Sequence, residues 1–188
     1  GSMIIIDRIT NVTVGAVMIL DEMQGGPSQD HWDAEPVSAE MQERSSQVTD
    51  EERAARFGQR GATILITGLT GSGKRDVAQA LERHLFDAGR ACAVLDGPKM
   101  RLGVSKDLGF TPEGRSENMR RAAECARILN DVGLITIASF LAPRKEVRNR
   151  AREVVGSERF FEVFLDVPVE VCRERDTNGM YAMADSGE

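Results

Sequence analysis

The feature that most constrains this chain is a glycine-rich loop followed at once by a lysine. Residues 68–74 read Gly-Leu-Thr-Gly-Ser-Gly-Lys and fit the pattern GxxxxGK. A β-branched, apolar run over 63–67 precedes the loop, and apolar residues at helical spacing follow it over 76–88. Glycines in such a loop let backbone N–H groups point at phosphate oxygens, and the lysine reaches the β- and γ-phosphates. The alternative interpretation is a strand-to-helix turn without a ligand.

The loop predicts a nucleotide site, and one position in it departs from the pattern. The predicted nucleotide-binding residues are Gly68, Thr70, Gly71, Ser72, Gly73 and Lys74. Ser or Thr is expected after the lysine, because its hydroxyl ligates Mg²⁺, but Arg75 stands there. Asp76 is the nearest substitute, yet one residue along a helix rotates a side chain by about 100°. The pattern therefore favours nucleotide binding over metal-assisted transfer.

Strand-like and helix-like segments alternate from Gly61 onward. Strands are predicted over 63–67, 91–95, 134–141 and 161–166, and helices over 76–88, 118–132, 146–155 and 169–175. This alternation predicts an α/β fold with a P-loop NTPase-type parallel sheet and helices on both faces. Ligands of such sheets bind at the carboxyl ends of the strands.

The residues before this alternation have a different organisation. Residues 1–20 predict two short strands, Met3–Ile6 and Thr13–Leu20, joined by a turn at Thr10 and Asn11. Residues 21–60 are polar and acidic, which predicts a linker, with a short helix after the N-cap candidate Thr49. We therefore expect a β-strand tail of a preceding domain (1–20), a linker (21–60) and a P-loop domain (61–188).

Composition limits the class of protein. The net charge of −6 counts against a general nucleic-acid binder, which carries a basic face. No run of 18 apolar residues occurs, so neither a transmembrane helix nor a membrane partner is expected. The cysteines Cys92, Cys125 and Cys172 are widely spaced and predict buried free thiols rather than a metal site. These features predict a cytoplasmic protein.

Several later segments resemble one family of P-loop proteins. They are Asp96-Gly97 followed by Arg101, KDLGF at 106–110, RSENMRR at 115–121, SFLAP at 139–143, FEVFLDVP at 161–168 and RDTNGMY at 175–181. In order and spacing they resemble the motifs of adenylylsulfate (APS) kinases over about residues 48–188. The resemblance implies transfer of the γ-phosphate of ATP to the 3′-hydroxyl of APS, which gives PAPS and ADP in sulfate assimilation. It also implies Mg²⁺ as a cofactor and a homodimer.

The resemblance assigns roles to single residues. It implies catalytic roles for Lys74 and Asp96, with Asp96 and Asp76 as possible metal ligands. It also implies that APS is bound by Arg101, Phe110, Arg115 and Asn118. Simpler alternatives remain open. In these alternatives Asp96 is only a carboxylate in the turn after a strand, and Phe110 is an aromatic residue of the core. Arg101 and Arg115 are then solvated surface charges, and Asn118 caps its helix.

The start of the chain carries a second resemblance. Residues 6–16 are similar to the last strands of the large subunit of GTP-dependent sulfate adenylyltransferase, which precedes an APS kinase in fused enzymes. The resemblance implies that the chain is a fragment of such a fusion. It implies a sulfate adenylyltransferase domain or subunit as a partner, and it implies that the final segment of the kinase is missing.

The departures from the family pattern fall on positions that serve phosphoryl transfer. Arg75 replaces the metal-ligating hydroxyl, Pro98 the second aspartate of the family's DGD segment, and Asn178 the lysine of its lid. Transfer depends on positioned charge, so these changes support an alternative function, a catalytically impaired regulatory module that binds APS or PAPS and a nucleotide. An unrelated small-molecule kinase is a third hypothesis, against which the KDLGF and RSENMRR segments count.

Overall fold

The structure is a computed structural model that describes residues 2–6 and 13–18 by their backbone and residues 31–38, 46–177 and 179–186 in full. Within these residues the strands are β1 (Ser2–Ile6), β2 (Thr13–Met18), β3 (Ala62–Gly68), β4 (Cys92–Asp96), β5 (Ile135–Ser139) and β6 (Phe160–Leu165). The helices are α1 (Asp50–Phe57), α2 (Lys74–Asp87), α3 (Gly97–Arg101), α4 (Pro112–Asp131), α5 (Lys145–Val155), α6 (Val169–Glu174) and α7 (Met180–Ser186). Of the helices in the described residues, none is both long and apolar enough to cross a bilayer.

The first two strands form an antiparallel hairpin. Ser2 pairs with Met18, and Ile6 pairs with Thr13 after a register shift beside Ile5. Both strands were expected from the sequence, whereas the turn predicted at Thr10 and Asn11 and the last two residues of the second strand lie outside the described residues.

The remaining strands form a parallel sheet in the order β4-β5-β3-β6. Ile64 of β3 lies opposite Ile137 of β5 on one side and opposite Phe161 of β6 on the other. Strands β3 and β4 are consecutive in the chain but not adjacent in the sheet, because β5 lies between them. The parallel sheet expected from the alternating pattern is confirmed.

Helices cover both faces of this sheet. Successive residues of a strand point to opposite faces, and Leu65 and Ile66 belong to two different core clusters. Leu65 packs with residues of α4 and α5, whereas Ile66 packs with Ala78 of α2. The predicted arrangement of helices on both faces is therefore present, and it leaves the carboxyl ends of the strands open at one edge.

The helix starts differ from the sequence expectation in identifiable ways. Helix α4 begins at Pro112 rather than at residue 118, because Thr111 caps it with a hydrogen bond from the Gly114 N–H and Pro112 occupies its first turn. Helices α3 and α7 were not predicted at all. Helix α1 was predicted, and its capping box between Thr49 and Glu52 is present.

Candidate active site

A cavity of about 1110 Å³ lies at the carboxyl ends of β3, β4 and β5. Its wall combines the start of α2, the turns after β4 and β5, and the first turns of α4. Of the described residues that line it, six are cationic and two are carboxylates: Lys74, Arg75, Arg101, Arg115, Arg144 and Arg175 against Asp76 and Asp96. In a chain of net charge −6, this local excess of positive charge favours a strongly anionic ligand.

The glycine-rich loop at one end of the cavity has the backbone that only glycine accommodates well. Gly71 has φ +80° and Gly73 has φ +82°, in the left-handed region. A Cβ on Gly71 would lie 2.4 Å from the Cys172 carbonyl oxygen, so the loop packs directly against α6. Gly73 is the N-cap of α2, whose first N–H groups need partners from outside the helix. This geometry fits a phosphate-binding loop.

Lys74 opens helix α2 and lines the cavity. Its Nζ donates a hydrogen bond of 2.6 Å to the Leu69 carbonyl oxygen, across the mouth of the loop. Burial lowers the pKa of Lys74 below its ordinary value, because a half-buried ammonium loses hydration. An anion in the loop would restore the favoured charged state.

Asp96 ends β4 with both carboxylate oxygens engaged. Oδ1 accepts a hydrogen bond of 2.7 Å from the Lys99 N–H, so Asp96 caps the short helix α3. Oδ2 lies 3.5 Å from Nε of Arg75. The predicted catalytic carboxylate thus stands at the cavity as expected, and the turn interpretation also holds because the residue caps a helix.

The residues at this place do not fit a divalent cation. The described part of the chain holds no group of three His, Cys, Asp or Glu side chains arranged for a metal, but Mg²⁺ bound to a nucleotide needs only one or two protein ligands beside the phosphates, so the side chain next to Lys74 decides the fit. The guanidinium of Arg75 is permanently charged and has no acceptor, so it repels a cation where a hydroxyl would ligate one. Among the described residues that line this cavity, Asp76 is the only carboxylate besides Asp96.

The predicted substrate-side residues line the same cavity. The Arg101 guanidinium donates to the carbonyl oxygens of Leu108 (3.2 Å) and Gly109 (2.8 Å) and lies 4.5 Å from the ring centre of Phe110. Burial and the nearby charge of Arg115 lower the pKa of Arg101. Phe110 is 72% exposed, so it is not a core aromatic, and much of its ring surface is accessible to a planar ligand although Arg101 lies over one face.

Asn118 differs from the other substrate-side residues because it is buried. It is 3% exposed, lines the cavity, and its Oδ1 has no hydrogen-bond partner among the described residues. The helix-cap interpretation of Asn118 is wrong, since α4 begins at Pro112 and is capped by Thr111. A buried acceptor without a partner costs free energy unless a ligand satisfies it.

Sequence reasoning missed a segment of the predicted linker that contacts the first turns of α4, where Ser116 lines the cavity. The His31 N–H donates to Glu117 Oε2, and the Trp32 indole Nε1–H donates to Ser116 Oγ, each at 2.9 Å. Asp33 pairs with Arg150 at 2.8 Å. We call residues 31–33 the clasp. The available signal was a single tryptophan within an otherwise polar stretch.

The clasp meets a buried ion network next to the substrate-side residues. Glu117 has a fully buried side chain and accepts hydrogen bonds from Arg120 and Arg121. Arg121 also pairs with Asp107 in the loop that leads to Phe110. One connected set of hydrogen bonds therefore joins the clasp, the start of α4 and the Phe110 loop.

Helix α7 covers the glycine-rich loop. The Tyr181 hydroxyl donates a hydrogen bond of 2.8 Å to the Thr70 carbonyl oxygen, and Arg173 lies 5.1 Å from the Tyr181 ring centre. Met180 lines the cavity. Asn178, which replaces the family's lid lysine, lies outside the described residues.

Comparison with known proteins points to one family. The model of the family described as Adenylylsulphate kinase matches residues 60–188. The chain is 53% identical over 188 residues to the bifunctional enzyme CysN/CysC of Rhodopirellula baltica, and 45% identical over 188 residues to the bifunctional enzyme NodQ of a Rhizobium species. These matches cover the whole chain but only 29% and 27% of the relatives, so the chain spans less than a third of their length.

Two shorter proteins match the second part of the chain. The adenylyl-sulfate kinase of Clostridium acetobutylicum is 43% identical over 145 residues, which cover 77% of this chain and 72% of that protein. The solved structure of the Mycobacterium tuberculosis APS kinase CysC in complex with AMPPNP and APS is 43% identical, with a TM-score of 0.65 over 69% of this chain and 76% of that one.

Proposed function

Because this chain belongs to the adenylylsulfate kinase family, we propose that its P-loop domain transfers the γ-phosphate of ATP to the 3′-hydroxyl of APS. The 3′-oxygen forms a bond to the γ-phosphorus, the bond from that phosphorus to the β–γ bridging oxygen breaks, and the hydroxyl proton is released. The products are PAPS, ADP and a proton.

One observation carries this proposal: the phosphate loop and the substrate-side residues line the same cavity. Gly73 and Lys74 line this cavity together with Arg101, Phe110 and Asn118. A transfer between two nucleotides requires both to sit in one site with the reacting atoms in contact. The six cationic lining residues suit two polyanionic ligands.

Each residue has a role that its surroundings support. Lys74 and the N–H groups at the start of α2 hold the β- and γ-phosphates, and the half-buried position of the ammonium strengthens this contact. Arg101 and Arg115 face the phosphosulfate, while Phe110 stacks on the adenine of APS. Asn118 Oδ1 accepts a hydrogen bond from APS, which satisfies an acceptor that is otherwise buried and unpartnered. Asp96 orients the 3′-hydroxyl.

A second candidate function is a regulatory module that binds APS or PAPS without turnover. The observation that favours it is the ion pair of Arg75 with Asp96, which occupies the carboxylate that would assist transfer. Pro98 in the first turn of α3 adds no polar group there. Both functions require the same ligands, so turnover distinguishes them.

We also propose how the domain is embedded in a longer protein. The relatives that match the whole chain are bifunctional, which supports the hairpin of β1 and β2 as the end of a preceding sulfate adenylyltransferase domain, residues 21–60 as the connection, and 61–188 as the kinase domain. A homodimer is part of the same proposal.

The test is PAPS formation from ATP and APS, measured together with titration of each ligand. Lys74→Ala is expected to lower the rate on the order of a hundredfold or more, because one positioned cation at the phosphates is worth several kcal/mol. Lys145→Ala, at an exposed position on α5, is the matched control and should leave the rate unchanged. APS binding without PAPS would replace the kinase by the regulatory module, and no binding of either ligand would contradict both.

A further inference from the structure

Arg75 stands in the first turn of α2, beside the lysine that holds phosphates. Its side chain is 56% exposed and lines the cavity, and its Nε lies 3.5 Å from Asp96 Oδ2. A loop of this type has Ser or Thr at this position, and its hydroxyl ligates the Mg²⁺ that accompanies a nucleoside triphosphate. A guanidinium therefore occupies the place where the pattern puts a metal ligand.

The neighbouring carboxylates do not rebuild a metal site around Arg75. Asp96 is engaged through Oδ1 with the Lys99 N–H and through Oδ2 with Arg75 itself. Asp76 lies one residue further along α2, so its side chain leaves the helix about 100° away from that of Arg75. A divalent cation here would have to displace a charged group from Asp96, and it would lie beside a second positive charge.

We propose that Arg75 takes over the charge-neutralising task of the metal, so that this chain binds ATP without a divalent cation. The planar guanidinium donates two parallel hydrogen bonds to phosphate oxygens. Asp96 acts as a positioning residue that holds the guanidinium at the mouth of the loop in the free protein. Arg75 is exposed enough to turn from Asp96 towards the phosphates. This inference rests on the proposed nucleotide site, and it adds that Arg75 neutralises the negative charge of the triphosphate there.

The proposal predicts that Mg²⁺ affects ATP binding differently in this chain than in a protein whose phosphate loop has serine or threonine at the same position. With a hydroxyl, Mg²⁺ should tighten ATP binding because the ion joins the protein to the phosphates. With Arg75, Mg²⁺ should bring little gain, since the ion competes with the guanidinium for the same oxygens. The two cases differ in the effect of Mg²⁺ on ATP affinity, which is measurable without turnover.

The experiment is a calorimetric titration of ATP into the full chain in excess EDTA and in excess Mg²⁺. The wild-type protein should bind ATP with similar dissociation constants in both buffers. Arg75→Ser should weaken binding in EDTA about tenfold or more, because a charge-assisted hydrogen bond is lost, and it should regain affinity when Mg²⁺ is added. Arg83→Ser, on α2 away from the cavity and paired with Asp87, is the matched control and should behave as wild type.

The outcomes separate this inference from the proposed function. Wild-type binding that tightens tenfold or more with Mg²⁺ would overturn the role of Arg75, even if PAPS were formed. ATP binding in EDTA without PAPS formation would uphold the role of Arg75 and contradict the kinase activity. Failure of the wild type to bind ATP in either buffer would overturn both. Thermal unfolding of each variant checks that a loss of binding is not a loss of folding.

Discussion

Trp32 donates its indole N–H to the hydroxyl of Ser116, and this contact joins residues far apart in the sequence. Ser116 lies between Arg115 and Glu117 in the first turns of α4, next to the cavity. The clasp thus touches the same helical turns that present the substrate-side residues.

Trp32→Ala should weaken APS binding more than ATP binding. The variant removes an aromatic ring that packs against the core cluster and one hydrogen bond, so α4 loses support near Arg115 and Asn118. We expect the free energy of unfolding to fall by about 1–3 kcal/mol. Denaturant unfolding and separate titrations of APS and ATP measure the two effects.

Val37→Ala is the control for the clasp, because Val37 is fully exposed in the same stretch of chain. It should change neither stability nor binding. Equal weakening of APS and ATP binding by Trp32→Ala would show that the clasp supports the whole domain and not the substrate side.

Asn118→Ala should weaken APS binding about tenfold with little change in stability. The Asn118 Oδ1 has no partner within the described residues, so its removal costs the protein no internal bond at that atom, while a ligand loses an acceptor worth about 1–1.5 kcal/mol. Calorimetric titration of APS measures the change.

Asn130 provides a matched comparison at another buried asparagine of α4. Asn130 accepts from Thr63 Oγ1 and donates to the carbonyl oxygens of Ala62 and Leu134. Asn130→Ala should therefore destabilise the fold by about 2–4 kcal/mol and leave the affinity of the folded protein for APS unchanged. A large stability loss for Asn118→Ala would mean that its role is structural.

Glu117 should make stability depend on acid pH. Burial alone would raise the pKa of Glu117, but hydrogen bonds from Arg120, Arg121 and the His31 N–H outweigh it and hold the pKa at about 2, against an ordinary value of 4.5. A lowered folded-state pKa contributes stability above about pH 4.5, which is lost as the pH falls towards 2. The contribution at neutral pH is on the order of 3 kcal/mol.

Glu117→Gln should therefore unfold more easily at pH 7 and lose stability less steeply between pH 4.5 and 2 than the wild type. Glu124→Gln is the control, because the pair of Glu124 with Arg127 is partly exposed and worth at most about 1 kcal/mol. Urea unfolding at a series of pH values gives the comparison. Parallel wild-type and Glu117→Gln curves would rule out this ion network as the cause.

Gly71→Ala should abolish ATP binding. The new Cβ would lie 2.4 Å from the Cys172 carbonyl oxygen and would require φ +80°, so the loop must move away from α6. Gly89→Ala has a similar φ of +73° with nothing within 4 Å, and it should cost only about 1–2 kcal/mol of backbone strain. ATP titration and thermal unfolding of both variants distinguish the effect of backbone strain from that of displacing the loop. Retained ATP binding in Gly71→Ala would show that the loop tolerates this shift.

The sequence predicted the elements whose signals are local. The glycine loop, the β-branched runs and the apolar spacing of α2 are short-range patterns, and the parallel sheet follows from their alternation. The start of α4 was missed because apolar spacing begins only at Met119, although Thr111 and Pro112 carried a cap signal. Helices α3 and α7 are too short to show a period.

Contacts across the fold could not be predicted in the same way. Arg75 meets Asp96 because β3 and β4 run parallel, so the helix start after β3 and the end of β4 lie at the same edge of the sheet, even though β5 separates the two strands. The clasp could not be distinguished from a linker, because a polar segment has the same composition whether it is free or held by two hydrogen bonds and one ion pair. The placement of Arg101, Phe110, Arg115 and Asn118 around one cavity agrees with the expectation, while their roles remain predictions.

The clasp also limits the distance between this domain and whatever precedes it. From Met18 at the end of β2 to His31 the chain can extend at most about 45 Å, at about 3.5 Å per residue. The hairpin therefore stays within that radius of the first turns of α4, and residues 34–61 add nothing to its reach. If the hairpin closes a domain that produces APS, the short tether keeps that domain close to this one, so released APS has only a short distance to diffuse to the cavity. Loss of the Trp32 contact would lengthen the free segment, and with it the distance over which the product would have to diffuse.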